Sequence, residues 1–392
     1  MQNIESHTNS SSGDRGYDYI IAGAGCAGLS LLMRLLQQPS LRYKKILVID
    51  QSDKTQNDRT WCFWEKDKGL FEDIVHHRWQ HLDFQSNYFS SHLNIAPYQY
   101  KMIRGIDLYE QVISFAKQFQ NVEFKFEKII QLKTENAIVE TETNVYHAKY
   151  VFNSILFNAI KPSKNTYLLL QHFKGWLIET ENNCFDPAVA TFMDFTVDQF
   201  HGTTFMYVLP VAANKALIEY TLFTENILSS EKYDDALRNY ILEKLNIPNY
   251  TIVHQEFGVI PMSNHKFASH DGRVIHIGTA GGQTKASSGF TFQFIQKQCK
   301  QIIASLITSG KPYVDETITR KKFNLYDSVL LNVLVNKKIS GADIFARIFQ
   351  NNSPQTVLRF LDNETNFMED LQIMRSVPTK IFLRSALQEL FK

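Results

Sequence analysis

Hydrophobic positions along the chain switch between two periods. The segment "YDYIIAGAGCAGLSLLMRLLQQ" (17–38) opens as a short apolar run, passes through a glycine turn and continues with helical spacing, so it predicts strand, turn and helix. A second apolar run, "KKILVID" (44–50), predicts the next strand of a βαβ unit. Short apolar strands follow around 167–179, 189–195, 204–210 and 215–223, the pattern of a mostly antiparallel sheet. Near residue 280 a strand (Val274–Ile277) runs into a glycine-rich turn and then a helix from about Ser288. From about residue 311 the pattern is helical. Within "KALIEYTLF" (215–223), Leu217, Glu219, Thr221 and Phe223 share one strand face, and Ala216, Ile218, Tyr220 and Leu222 the other. Read locally, Glu219 belongs to the wet face of a half-solvated sheet. The competing reading is an acid held in an apolar site, where burial would raise its pKa and let it deliver a proton.

The 392 residues suffice for two connected domains, and 44% hydrophobic with 21% charged content fits a globular chain with a sizeable core. A net charge of +1 points to no nucleic-acid partner. Twenty-nine Phe and seventeen Tyr can fill cores or line a greasy tunnel. Cys26, Cys62, Cys184 and Cys299 form no CxxC pair, which predicts neither disulfides nor a metal site and suits a reducing cytosol. Residues 1–16 are polar and lack an apolar signal core, so they read as a frayed tail. No run is long and apolar enough to span a bilayer.

Gly23, Gly25 and Gly28 have G-x-G-x-x-G spacing between a strand and a helix. They permit the tight turn, the close approach of backbone to a pyrophosphate, and the packing of helix on strand. The helix N-terminus adds free N–H groups and a positive dipole end. Asp50 closes the second strand about 22 residues after Gly28, where an acid binds a ribose hydroxyl. The late turn with Gly278, Gly281 and Gly282 is a second cofactor contact typical of FAD proteins rather than plain NAD dehydrogenases. Arg104, opening the helix of "IRGIDLYEQVISFA", is a candidate phosphate-side arginine.

Further stretches carry a family resemblance: "DRTWCFWE" (58–65), "QHFKGWLIET" (171–180), "TFMDF" (191–195), "YVLP" (207–210), "LIEYT" (217–221), "GVIPM" (258–262), "GTAGGQTKASSGFTF" (278–292), "FNLYDSVLL" (323–331) and "VLRFLDNETNFMEDLQIMRSVP" (357–378). Together they resemble the bacterial-type lycopene β-cyclases. The resemblance implies FAD, active in its reduced form, with NAD(P)H as reductant. It also implies lycopene or a related acyclic carotenoid as substrate, and conversion of ψ end groups to β-ionone rings without net redox. Glu219 matches the position of the family's acid–base glutamate, and Asp194 its Met-Asp motif, where it would orient or recharge the acid. Arg59, in the motif just past the ribose acid, joins the cofactor-binding candidates. Asp327 and Asp362 read as structural. Trp61, Phe63 and Trp64 wall either the flavin or the polyene, or pack the core. Asn153 and Ile155 stand where relatives often carry an acid and an arginine, and Thr279 replaces the aspartate usual in aromatic hydroxylases.

The expected architecture is α/β: a doubly wound Rossmann-type FAD domain from 17–60, 104–160 and 265–310, an inserted antiparallel-sheet substrate domain from 61–103 and 161–264, and a helical region over 311–392. In "PTKIFLRSALQELFK", Leu383, Ala386, Leu387 and Leu390 share a stripe beside Lys380, Arg384 and Lys392. That helix either closes the core or docks on a membrane surface. A carotenoid substrate implies a cytoplasmic enzyme peripheral on the inner membrane face. Two other functions fit the same pattern: a flavin hydroxylase or prenyl-chain reductase, and a non-enzymatic carotenoid-binding protein.

Overall fold

The strand Tyr17–Ala22 buries its last four residues on both faces, which is possible only at the centre of a sheet. In the computed structural model, which describes residues 16–392, it lies between Ile46–Asp50 and Val145–Asn153, parallel to both. Val122–Phe126 extends the sheet beyond Ile46–Asp50, and Val274–His276 extends it beyond Val145–Asn153, again in parallel. An antiparallel meander, Ile129–Lys133 and Ile138–Thr141, is attached at Val145–Asn153. Helices Cys26–Gln37, Gly105–Ala116 and Phe292–Ser309 pack their apolar faces on this sheet around Ile21, Val48 and Phe152. The strand order reverses at Tyr17–Ala22, so the carboxyl ends of the central strands open a crevice suited to a dinucleotide. Residues 1–15 of the expected tail lie outside the described residues.

A second sheet has seven strands in the order Thr251–Ser263, Leu168–Glu179, Lys215–Thr224, Thr203–Ala212, Val189–Asp194, His81–Gln85, Ser90–Asn94. It is antiparallel except where Val189–Asp194 runs parallel to His81–Gln85. A three-stranded antiparallel sheet, Thr60–Glu65, Gln99–Arg104 and His77–Trp79, stands beside it.

Both faces of the seven-stranded sheet are covered. One face carries Trp176, Ile178, Met206, Val208, Ile218 and Leu222 under the helix Ser230–Asn239, whose Tyr233 and Leu237 fill the layer. The other, inner face carries Phe205, Tyr207, Leu209, Leu217 and Phe223, packed with Trp64, Trp79, Tyr100 and the C-terminal helices through Phe345, Phe349 and Leu358. The half-solvated sheet predicted locally for 215–223 is therefore not what forms: the helices from residue 318 onward and the three-stranded sheet occupy the face that would have met water.

Two boundaries differ from the sequence pattern. The helix expected from about Ser288 begins at Phe292. Residues 283–291 are instead held as a loop: Lys285 donates to Asp327 Oδ1 at 2.8 Å and to Asn363 Oδ1 at 2.7 Å, and Ser287 donates to Asp327 at 2.6 Å. The terminal helix Thr379–Leu390 does not turn its leucine stripe inward. Its packed side is Ile381, Phe382 and Ser385, while Leu383, Leu387 and Leu390 are exposed. Among the described residues no helix is long and apolar enough to cross a membrane.

Candidate active site

The glycine turn after Tyr17–Ala22 is set by close packing. Gly23 has φ +99°, and a Cβ on Gly28 would lie 2.0 Å from the Gly23 carbonyl oxygen. A Cβ on Gly25 would meet nothing, so its backbone faces open space at the start of helix Cys26–Gln37. Asp50 lies beside this turn: its Oδ2 accepts from Ala24 N–H at 2.7 Å, and Lys54 pairs with Oδ1 at 3.1 Å. The late turn Gly278–Gly281 rests on the same helix, since a Cβ on Gly278 would come within 2.7 Å of Ala27 Cβ. Arg320, from helix Ile318–Val335, donates to the carbonyls of Gly281 and Gly282 and fixes the turn from behind. The two glycine turns, 250 residues apart in the chain, thus form one cradle.

Arg59 and Arg104 meet near its edge. Thr60 pairs with Arg104 across two strands, and Gly105 N–H donates to the Arg59 carbonyl at 2.7 Å. Arg59 pairs with Asp58, which also accepts from Tyr109, and Arg104 grips Asp107 with two short bonds. Asn153 closes its own turn, accepting from Ile155 N–H and donating to the Ile155 carbonyl.

The loop after the late turn reaches the inner face of the seven-stranded sheet. A Cβ on Gly289 would collide with Gln171 Oε1, and Phe290 packs edge-on to Trp64 at 4.8 Å. Gln171 Oε1 and Ser288 Oγ are buried here without a hydrogen-bond partner. Unpaired polar atoms are costly in an interior, so this end of the cradle is built for a polar group. The backbone cradle, the acid beside it and the orphaned polar atoms fit a flavin dinucleotide.

Glu219 lies on the same inner face. Cross-strand register places Tyr207, Glu219, Gly175 and Glu256 in one row over four strands. Gln171 and Gly175 are four residues apart on one strand face, roughly 13 Å. Thr221 Oγ1 donates to Glu219 Oε1 at 2.6 Å, and Thr60 Oγ1 donates to Glu256 Oε2 at 2.8 Å. Burial, then the negative charge of Glu256, push the Glu219 carboxyl well above the usual range. Burial raises Glu256 as well, against the opposing pull of Thr60 and Arg59. Around Glu219 stand Cys62, Tyr100 and Tyr207, all held strongly protonated by burial.

Asp194 does not join this group. It pairs with Met206, which belongs to the opposite face, and it accepts from Tyr240 Oη at 2.7 Å and Thr196 N–H at 2.8 Å. The arrangement secures the turn from residue 240 to the outer face of the sheet and leaves Asp194 without access to Glu219. Asp327 and Asp362 are buried among the C-terminal helices, the first paired with Lys285. Trp64 is in the aromatic core with Tyr100, Phe192 and Phe290. Phe63 stacks on Phe292 at 4.0 Å, and Trp61 meets Tyr109. Glu256 carries no local signature in the sequence, because only the register of Leu168–Glu179 with both neighbours brings it to Glu219. Among the described residues no cluster of His, Cys, Asp or Glu could hold a metal.

A doubly wound, Rossmann-type nucleotide domain joined to a mostly antiparallel sheet defines the fold class. Solved structures of that fold superpose over nearly the whole chain. A geranylgeranyl bacteriochlorophyll reductase-like protein of Thermoplasma acidophilum matches with TM-score 0.64 at 12% identity, covering 94% of this chain and 98% of that one. A flavoprotein/dehydrogenase of Cytophaga hutchinsonii matches with TM-score 0.65 at 11% identity, covering 95% and 100%. The profile of the family described as "Lycopene cyclase protein" matches residues 18–387, and the chain belongs to that family. Two curated relatives agree with it. The lycopene beta-cyclase of Paracoccus sp. is 24% identical over 76% of this chain and 75% of its own length. That of Pantoea ananas is 27% identical over 63% of each.

Proposed function

We propose that this protein is a lycopene β-cyclase. It closes the ψ end groups of lycopene, or a related acyclic carotenoid, into β-ionone rings by acid catalysis. The observation that carries the reading is Glu219, a carboxyl group whose pKa is raised by burial on an aromatic-lined sheet face that the loop of the cofactor cradle also reaches, through Gly289 and Gln171.

Gly23, Gly25, Gly28 and Asp50 would hold the adenine half of FAD, with Gly278, Gly281 and Gly282 on its flavin side and Arg59 and Arg104 toward the phosphates. Reduced FAD, kept reduced by NAD(P)H, would supply negative charge that offsets a developing carbocation without giving electrons to the product. Glu219 donates its proton to the CH carbon of the terminal double bond of the ψ end, leaving a tertiary cation at the dimethyl carbon, with Thr221 holding the carboxyl in orientation. The cation attacks the neighbouring double bond, and loss of a ring proton gives the β double bond. Tyr207, Tyr100 and Trp64 offer ring faces to the cation, worth roughly 0.5–2 kcal/mol each. The packed inner face excludes water that would quench it. Gly289 and Gln171 bring the cofactor loop to the same face as the acid.

The substrate is a membrane hydrocarbon, and the exposed Leu383, Leu387, Leu390 and Phe391 beside Arg384 and Lys392 form an amphipathic surface for docking on the cytoplasmic leaflet. A prenyl-chain reductase is the second reading, favoured by the fold shared with the geranylgeranyl reductase-like protein. Purified protein with FAD, excess dithionite and lycopene vesicles, read by chromatography, tests the proposal. Cyclic product of unchanged mass is expected. A product heavier by two hydrogens supports the reductase, and unaltered polyene contradicts catalysis.

A further inference from the structure

We infer that Glu219 and Glu256 hold a single proton between them, Glu256 acting as the positioning carboxylate whose negative charge keeps that proton on Glu219. The kinetic part of this inference rests on the cyclase reading; the pairing itself does not.

The row Glu256–Gly175–Glu219 explains why a glycine stands in the middle of the long strand Leu168–Glu179. Glycine in a strand interior weakens it, and often marks a place where another group approaches closely. Here two groups approach: Glu256 from one neighbouring strand and, from the other, Leu217, whose Cδ1 would lie 3.1 Å from a Cβ on Gly175. A Cβ on Gly175 would lie 3.1 Å from Glu256 Cγ and 3.4 Å from its Oε1. The missing side chain is the space through which Glu256 leans toward the neighbouring strand. Glu256 is 6% exposed although every other residue from Thr251 to Pro261 is exposed or half-buried.

The surroundings divide the roles. Thr60, opening the three-stranded sheet, donates to Glu256, and the preceding Arg59 adds positive charge, opposed by Asp58. Thr60 and Arg59 pull Glu256 toward the ionised form, against its burial, which is the largest influence and raises it. Glu219 receives only the Thr221 hydroxyl, from its own strand. The remaining titratable groups facing it, Cys62 and Tyr100 from the three-stranded sheet and Tyr207 from the adjacent strand, are neutral. Two like charges across one glycine cannot both be ionised cheaply, so the retained proton stays with Glu219, the partner that has no nearby cation. Thr60 follows Arg59 directly, which ties the protonation of the acid to the segment leading from the nucleotide domain.

Infrared titration of carboxylic C=O bands in wild type, Glu256→Gln and Glu219→Gln tests the pair without turnover. The wild type should show a buried-acid band that persists to high pH and is absent from Glu219→Gln, distinct from the band of Asp362, which burial also raises. In Glu256→Gln that band should titrate about one pH unit lower or more. In Glu219→Gln, Glu256 should ionise correspondingly lower, which serves if Glu256→Gln fails to fold. The alkaline limb of the cyclisation pH profile should move with the band in Glu256→Gln, with rate largely restored at lower pH. Unmoved titration in either single variant overturns the pairing even if wild type cyclises lycopene. A coupled infrared titration in a protein that leaves lycopene untouched would sustain the pairing and refute the cyclase.

Discussion

At the scale of single residues, position on a face decides chemistry. Glu219 and Asp194 both come from motifs of the resemblance, yet register sends one to the inner face and the other to Tyr240 on the outer face. Replacing Glu219 by Gln should lower cyclisation by 10²-fold or more, about the value of a general acid, while flavin absorbance and thermal midpoint stay near wild type. Asp194→Asn should do the reverse, lowering the thermal midpoint with modest change in turnover per folded molecule. The raised acid also sets pH dependence. Native protein binds the Glu219 proton more tightly than the unfolded chain does, so this group's contribution to stability is full below the ordinary carboxylate range and is lost as pH rises through its raised value. Activity that needs the protonated acid falls over the same interval, on the alkaline side. Its place in a motif of the resemblance made Glu219 legible in the sequence, whereas its local pattern alone reads as a solvated face. Glu256 was not, because a strand's partner and register are long-range properties, and a shift of one residue would turn it outward.

At the scale of elements, the βαβ unit was legible throughout: its glycines, its apolar strands and Asp50 are local signals with local causes. The start of the helix Phe292–Ser309 was not, since the loop before it is held by distant partners. Lys285, fully buried, bonds Asp327 and faces the rings of Phe323 and Phe360, so the late glycine loop and the C-terminal helices are one structural unit. Removing one partner leaves an uncompensated buried charge. Asp327→Asn should cost about 3–5 kcal/mol in denaturant unfolding, whereas Lys285→Met with Asp327→Leu should recover much of the loss. Gly28→Ala tests the cradle in the same way: a methyl group 2.0 Å from the Gly23 carbonyl must displace the turn, and purified protein should retain little FAD. The terminal helix offers a separate test. Leu383→Asp with Leu387→Asp should abolish sedimentation with anionic vesicles without moving the unfolding midpoint, because both side chains lie outside the packed face.

At the scale of the whole molecule, three layers divide the work. The parallel sheet presents the glycine turns at the carboxyl ends of its strands. The seven-stranded sheet presents paired acids, and the three-stranded sheet with the C-terminal helices closes that face in aromatic and aliphatic side chains. The local pattern of 215–223 could not reveal this closure, since the covering groups come from residues 60–104 and from beyond residue 318. A sealed apolar face suits proton-initiated chemistry on a hydrocarbon, with the dinucleotide as a fixed charge. The most direct measurement is the deuterium content of product formed by the reduced enzyme in heavy water, alongside reductant consumption. Delivery of a solvent-exchangeable proton by Glu219 predicts one deuterium per ring, no reductant consumed in proportion to product, and no product from Glu219→Gln. Cyclic product free of deuterium, or undiminished turnover by Glu219→Gln, would contradict it.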